Sequence, residues 1–156
     1  MKRILAAVAL VSAAILGSGG TAGAATGNQT FIINGGESNT GTLFAVGPVT
    51  GVGLDIESET SETSVFQFDD GSFNVSHPAT SDDFTFNPTT CVGRDRFTGT
   101  YSLSGGTGAY AGISGSGTYR GWAIFVAERN PDGSCSEDEA VFSGFFVRAT
   151  GTTTRP

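Results

Sequence analysis

Between Tyr101 and Gly121 the chain reads YSLSGGTGAYAGISGSGTYRG. Seven of these 21 residues are glycine, yet tyrosines stand at 101, 110 and 119. Glycine weakens a strand, but it removes the side chain where a backbone must bend or be approached closely. Closed sheets use that freedom at their corners. The segment therefore reads as a strand ending at Ser104, a tight connection through Gly105-Gly106-Thr107-Gly108, a packed element around Tyr110, and a further strand bent by Gly115 and Gly117. Tyr110 and Ile113 are expected to plug one end of a barrel.

The rest of the chain points the same way. Short runs of aromatic, β-branched and Thr residues alternate with Gly, Asn, Asp and Pro, an all-β pattern. Strands are expected at about 29–34, 42–57, 63–69, 72–78, 82–87, 94–104, 116–128 and 139–149. Asp69-Asp70-Gly71 and Asn130-Pro131-Asp132-Gly133 carry turn chemistry. Phe73, Val75 and His77 share one face of their strand, as do Phe97, Gly99, Tyr101 and Leu103 of theirs. The segments GWAIFVA and VFSGFFV are apolar on both sides, so both their faces are expected to be covered, the second by another subunit or a flanking segment. The tail GTTTRP is expected to fray.

The chain opens with Lys2 and Arg3, an apolar run from Ile4 to Leu16, and the small residues Ala22-Gly23-Ala24. That is the order of a secretory signal peptide, so residues 1–24 are expected to be removed and residues 25–156 to form a single secreted domain. Without Lys2 and Arg3 the net charge moves from −7 to −9, and no lysine remains. That balance excludes lysine-nucleophile chemistry. It also argues against nucleic acid as a partner, which selects for clustered positive charge. No later stretch is apolar enough to span a membrane. Cys91 and Cys135, an even pair in an exported chain without C-x-x-C spacing, are expected to form a structural disulfide.

The run from Gly105 to Gly117, GGTGAYAGISGSG, resembles the GGTG-x-[Phe/Tyr]-x-x-[Ala/Ile]-x-G signature of the allene oxide cyclase barrel and dirigent superfamily. The match is concentrated in residues 97–121, with FTGTYSLS as the strand leading in. The resemblance implies an eight-stranded antiparallel, calycin-like β-barrel with an apolar cavity, often assembled as a trimer. It carries no catalytic residue across, because the signature is a structural turn.

Residues that could do chemistry in such a barrel are few. His77, the only histidine, follows the phase of Phe73 and Val75 and suits proton transfer if it points inward. Arg120, Trp122 and Glu128 share one phase of their strand. An inward Arg120 beside Trp122 would suit an anionic group on an apolar ligand, whereas an outward one would solvate the strand. Tyr101 shares the phase of Phe97 and Leu103 and offers a hydroxyl. One histidine and two paired cysteines make no zinc set. Asn130, Asp132, Glu137, Asp138 and Glu139 lack the order of a calcium loop. No cofactor is expected. The sequence thus favours a secreted barrel that binds or orients a small, largely apolar molecule. The alternatives are a cavity-based isomerase or cyclase using His77, Arg120 or Glu128, and a filled barrel acting through its outer surface.

Overall fold

A computed structural model describes residues 24–36, 38–58 and 62–156, apart from the side chains of Asp138 and Glu139. The expected leader therefore lies outside the described residues, save Ala24. Nine strands follow in order: β1 (Ala25–Gly35), β2 (Thr40–Val46), β3 (Gly51–Glu57), β4 (Thr63–Phe68), β5 (Gly71–Ser76), β6 (Ala79–Asn87), β7 (Val92–Ser104), β8 (Ser114–Arg129) and β9 (Cys135–Arg155). Neighbours pair antiparallel in the order β5-β4-β3-β2-β1-β9-β8-β7, and a β5–β7 pairing closes the circle into an eight-stranded barrel. After Pro78 the chain departs from β5 as β6, which pairs with the first half of β7. The long halves of β7, β8 and β9 and the edge strand β6 thus project beyond one end of the barrel.

The glycines answer to a rule visible in the β7–β8 register. Gly93 stands opposite Phe125, Phe97 opposite Gly121, Gly99 opposite Tyr119 and Tyr101 opposite Gly117. In each pair the ring lies over the glycine, so that a Cβ there would fall within 2.7 Å of a ring atom. Gly35 and Phe145 repeat the arrangement between β1 and β9. Aromatic rings thereby cover the glycines, and the glycines leave room for the rings.

The end of the barrel nearest the glycine-rich segment is sealed. Residues Gly108–Tyr110 form a single 3-10 turn that delivers a buried Tyr110 against Phe68 and Phe73, with ring centroids 5.3 Å apart in both pairs. Ile113 is buried beside it, as expected. The tail does not fray. β9 continues to Arg155, Thr153 is fully buried, and the Arg155 guanidinium lies 4.8 Å from the Tyr110 ring centroid. Arg155 also donates through Nε to the Ala109 carbonyl and pairs with Asp70 at 3.5 Å. Composition alone hid this, because small threonines look solvated until a neighbouring strand pairs with them.

The single strand expected over 42–57 is two strands. Gly47, with φ +140°, and Pro48 turn the chain, and Val49 is buried in the turn. Gln29 of β1 holds that turn from inside. Its Oε1 accepts from the Val49 N–H at 2.9 Å and its Nε2 donates to the Val49 carbonyl at 3.0 Å. Cys91 and Cys135 form the expected disulfide, with Cα atoms 5.4 Å apart. It ties the β6–β7 turn to the start of β9. Closing a loop of 44 residues is worth roughly 4 kcal/mol in the chain-entropy account.

If the ring–glycine pairs set the packing, Gly93→Ala should destabilise by about 1–3 kcal/mol through overpacking. The three atoms nearest a Cβ at Gly93 all belong to the Phe125 ring. The cost should fall by more than half in a Phe125→Leu background, and additive costs in a chemical-denaturation cycle would refute the pairing. Gly27→Ala, whose Cβ would meet only Pro48 at ordinary distance, should be near neutral.

Candidate functional site

The interior is not filled. A cavity of ≈260 Å³ lies between the Tyr110 plug and the opposite end of the barrel. This is just below the range that drug-sized ligand pockets occupy, so the occupant must be small. Its walls are apolar, supplied by Phe31 and Ile33 of β1, Phe66 of β4, Val75 of β5, and Val147 and Ala149 of β9. Period-2 alternation puts these residues inside while their neighbours face out.

Polar groups gather at the end away from the plug. Asp55 of β3, Ser64 of β4 and His77 after β5 all line the cavity there. A 2.9 Å hydrogen bond joins the Ser64 hydroxyl to His77 Nε2. His77 is fixed at two further points: its N–H donates to the Glu62 carbonyl at 2.8 Å, and its carbonyl accepts from the Tyr119 hydroxyl at 2.9 Å. Pro78 thus ends the strand, and the histidine it leaves behind is anchored with its ring turned to Ser64. Glu57 and Tyr119 also line this end.

Asp55 is the group least at ease. Its side chain is buried, with the residue 8% exposed, and Oδ1 has no hydrogen-bond partner. Burial raises the Asp55 pKa above the ordinary 3.8. The Ser64 hydroxyl and positive charge on His77 pull it part of the way back, and Glu57 pushes it up. An unpaired acceptor in an apolar enclosure costs stability unless something donates to it. Asp55, Ser64 and His77 therefore form a compact set able to accept a hydrogen bond from a buried group or to move a proton.

The other residues singled out from sequence distribute differently. The Tyr101 ring lines the cavity wall, but its hydroxyl is wedged against Gly151 and buried without a partner. Arg120 and Trp122 take the outward option on β8, and Trp122, 49% exposed, packs beside Phe146. Glu128 is exposed beyond a register shift at Val126–Ala127, which breaks the phase it was assigned with Arg120. Of the set His77, Tyr101, Arg120, Trp122 and Glu128, only His77 and Tyr101 reach the cavity.

Sequence reasoning missed Asp55, Ser64, Glu57 and Tyr119. For Asp55 and Glu57 the reason is β3: its apolar residues Val52 and Leu54 face out, and Gly53, Asp55 and Glu57 face in. Hydrophobic phase therefore points the wrong way. A usable signal was the register with Phe66, an evident inward residue, which stands directly opposite Asp55.

The acidic hairpin is a turn in which Asp132 Oδ1 accepts from the Ser134 N–H and hydroxyl at 2.9 and 2.7 Å. The Asp138 and Glu139 side chains lie outside the described set. No group of three or more His, Cys, Asp or Glu side chains suited to a metal occurs among the described residues. Among them, too, no helix is long and apolar enough to cross a membrane. Fold and site together define a closed eight-stranded antiparallel barrel with an apolar cavity that is polar at one end. Comparison with protein-family models, with curated proteins and with solved structures gives no match for the chain.

A group whose pKa is higher in the folded than in the unfolded state favours folding below the unfolded value. That contribution is lost as pH rises through the folded value. Wild-type protein should therefore lose stability as pH rises from below 3.8 through the raised Asp55 pKa. Asp55→Asn should melt higher than wild type at pH 7, with the difference shrinking below pH 3.8. A pH-independent difference between the two melting curves would remove Asp55 as the cause.

Proposed function

We propose that this barrel belongs with the allene oxide cyclase and dirigent-like proteins and acts as a secreted carrier. It holds a small, largely apolar molecule bearing one hydrogen-bond-donating group. The observation that carries the reading is the unpartnered Asp55 oxygen inside an otherwise apolar cavity. Natural proteins keep a destabilising group of this kind where activity needs it. The glycine-rich signature and the closed barrel support the family placement. The disulfide is compatible with an oxidising, extracellular setting. Exposed Phe44, Val46, Val52 and Leu54 on the outer face of β2 and β3 support assembly with further copies.

A second reading, a cavity-based isomerase or cyclase, draws on the same three residues. His77 and Ser64 are hydrogen-bonded beside a carboxyl whose pKa is raised, the components of proton transfer in a water-poor site. Arg120 and Glu128 fall outside that machinery, which leaves His77 and Asp55 as its acid and base.

The carrier reading is tested with two ligands of nearly equal shape, 1-naphthylamine and 1-methylnaphthalene, by equilibrium dialysis. The amine should bind about tenfold tighter, in line with a hydrogen bond to a buried acceptor that is otherwise unpaired. That advantage should vanish in Asp55→Leu, and Ala149→Phe, which fills the cavity, should exclude both ligands. Equal affinities in wild type, or binding that survives Ala149→Phe, would defeat the assignment. Native mass spectrometry of protein from its own host separates the two readings. A retained mass released on denaturation supports carriage, whereas an empty cavity with turnover lost in His77→Ala supports the enzyme.

A further inference from the structure

Four of the six arginines that follow residue 24 stand on one outer face, along the barrel wall formed by β7, β8 and β9 and onto its extension beyond the barrel. Arg94 and Arg96 lie on β7, Arg120 on β8 and Arg148 on β9, all exposed. Arg120 is directly opposite Arg148, and Arg96 occupies the next row with Trp122 and Phe146. Like charges directly opposite each other on a sheet destabilise it. Acidic residues outnumber basic ones 15 to 8, so partners are plentiful in the chain. Yet among the described residues none of these four guanidiniums makes a hydrogen bond or an ion pair. Asp83 stands opposite Arg96 without pairing with it. Among the described residues no ion pair offsets the Arg120–Arg148 repulsion, although the Asp83 carboxylate stands across from Arg96.

A second feature shares the face. Trp122 and Phe146 lie side by side, with ring centroids 6.4 Å apart and planes 21° apart, as a flat apolar platform between the arginines. A groove of ≈690 Å³ runs over Trp122, Ile124 and Phe146 and is flanked by Arg94, Arg96 and Arg120. It adjoins a second hollow of ≈590 Å³, with which it shares Thr98 and Arg120. The row Thr100, Thr118 and Thr150 presents its hydroxyls there, next to Arg148.

We infer that this outer face binds an acidic polysaccharide, a chain of sugar rings carrying carboxylate or sulfate groups. Guanidinium forks match both anions with paired hydrogen bonds. The Trp122–Phe146 platform offers an apolar surface to the C–H face of a sugar ring, and the threonine row matches ring hydroxyls, which both donate and accept. A nucleic acid would also take arginine and an aromatic ring. The phosphate backbone of a nucleic acid, however, has little use for a hydroxyl row, whereas every ring of a sugar chain carries hydroxyls to meet it. This site is separate from the cavity, and its test is independent of the carrier reading.

The experiment is titration calorimetry of the chain lacking residues 1–24 with polygalacturonate, dextran sulfate, neutral dextran and oligothymidylate. Binding to polygalacturonate, dextran sulfate or both, and none to dextran, is expected. The preferred polymer identifies carboxylate or sulfate as the recognised group. Arg120→Ala with Arg148→Ala should weaken binding at least tenfold and Trp122→Ala about fivefold, with no fall in melting temperature. Arg129→Ala, an equal charge loss away from the face, should change it less than twofold. The proposal is overturned if neither anionic polymer binds or if binding survives the double arginine change. It also fails if Trp122→Ala has no effect, or if oligothymidylate binds as tightly as the polysaccharides, which would assign the face to nucleic acid.

Discussion

The packing of aromatic rings over glycines across the β7–β8 pair is the constraint on which the rest of this barrel depends. Each ring needs a bare backbone opposite it, and each glycine needs a ring to replace the side chain it lacks. Four such pairs along one pair of strands explain why flexibility and order sit side by side in one sequence. Tyr101 reaches past Gly117 to Gly151, so the same device fastens β9 to β8 and β7. Strands held this closely enclose a narrow interior. The cavity is therefore small and its shape is set by rings rather than by loops.

The two ends of that interior have opposite chemistry. At one end Tyr110 seals the core, with Arg155 against its ring. Burial and the nearby Asp70 carboxylate push its hydroxyl pKa up to about 12, so it stays neutral through the ordinary pH range. Gln29 satisfies the buried turn at Val49, leaving its N–H and carbonyl paired. At the other end Asp55 is buried with Ser64 beside it but with one carboxyl oxygen left unpaired. The contrast matters because the same chain shows, a few residues away, that it can pair a buried polar group fully. An unpaired carboxyl oxygen in that setting reads as a place kept for something else.

How much of this was legible follows from what each segment had to satisfy. The barrel, the plug and the disulfide rest on local signals: glycines around a tyrosine, tight turns, and two cysteines without a redox spacing. The split of 42–57 and the ordered tail were not legible. Both depend on partners far away in sequence, Gln29 for one and Tyr110 for the other. Tyr101 could be placed because its strand alternates cleanly, whereas His77 shared the phase of Phe73 and Val75 but its orientation at the strand end stayed open. Asp55 could not be placed, because β3 turns its apolar side chains outward and its acids inward. Arg120 and Trp122 sat on a strand apolar on both faces, where periodicity carries no direction, and only the β7–β8 register decides it.

That register joins the two proposed sites. Along β7, Phe97 lines the cavity and Arg96 flanks the outer groove. Along β8, Tyr119 and Ala123 line the cavity, while Arg120 and Trp122 flank the groove. A slip of one residue would carry the arginines and the tryptophan into the barrel and turn the cavity wall to solvent. The glycines forbid the slip, because each ring would then meet a Cβ in place of bare backbone. The pairing that lets the barrel close therefore also keeps an apolar interior and a basic, aromatic exterior on opposite faces of the same strands.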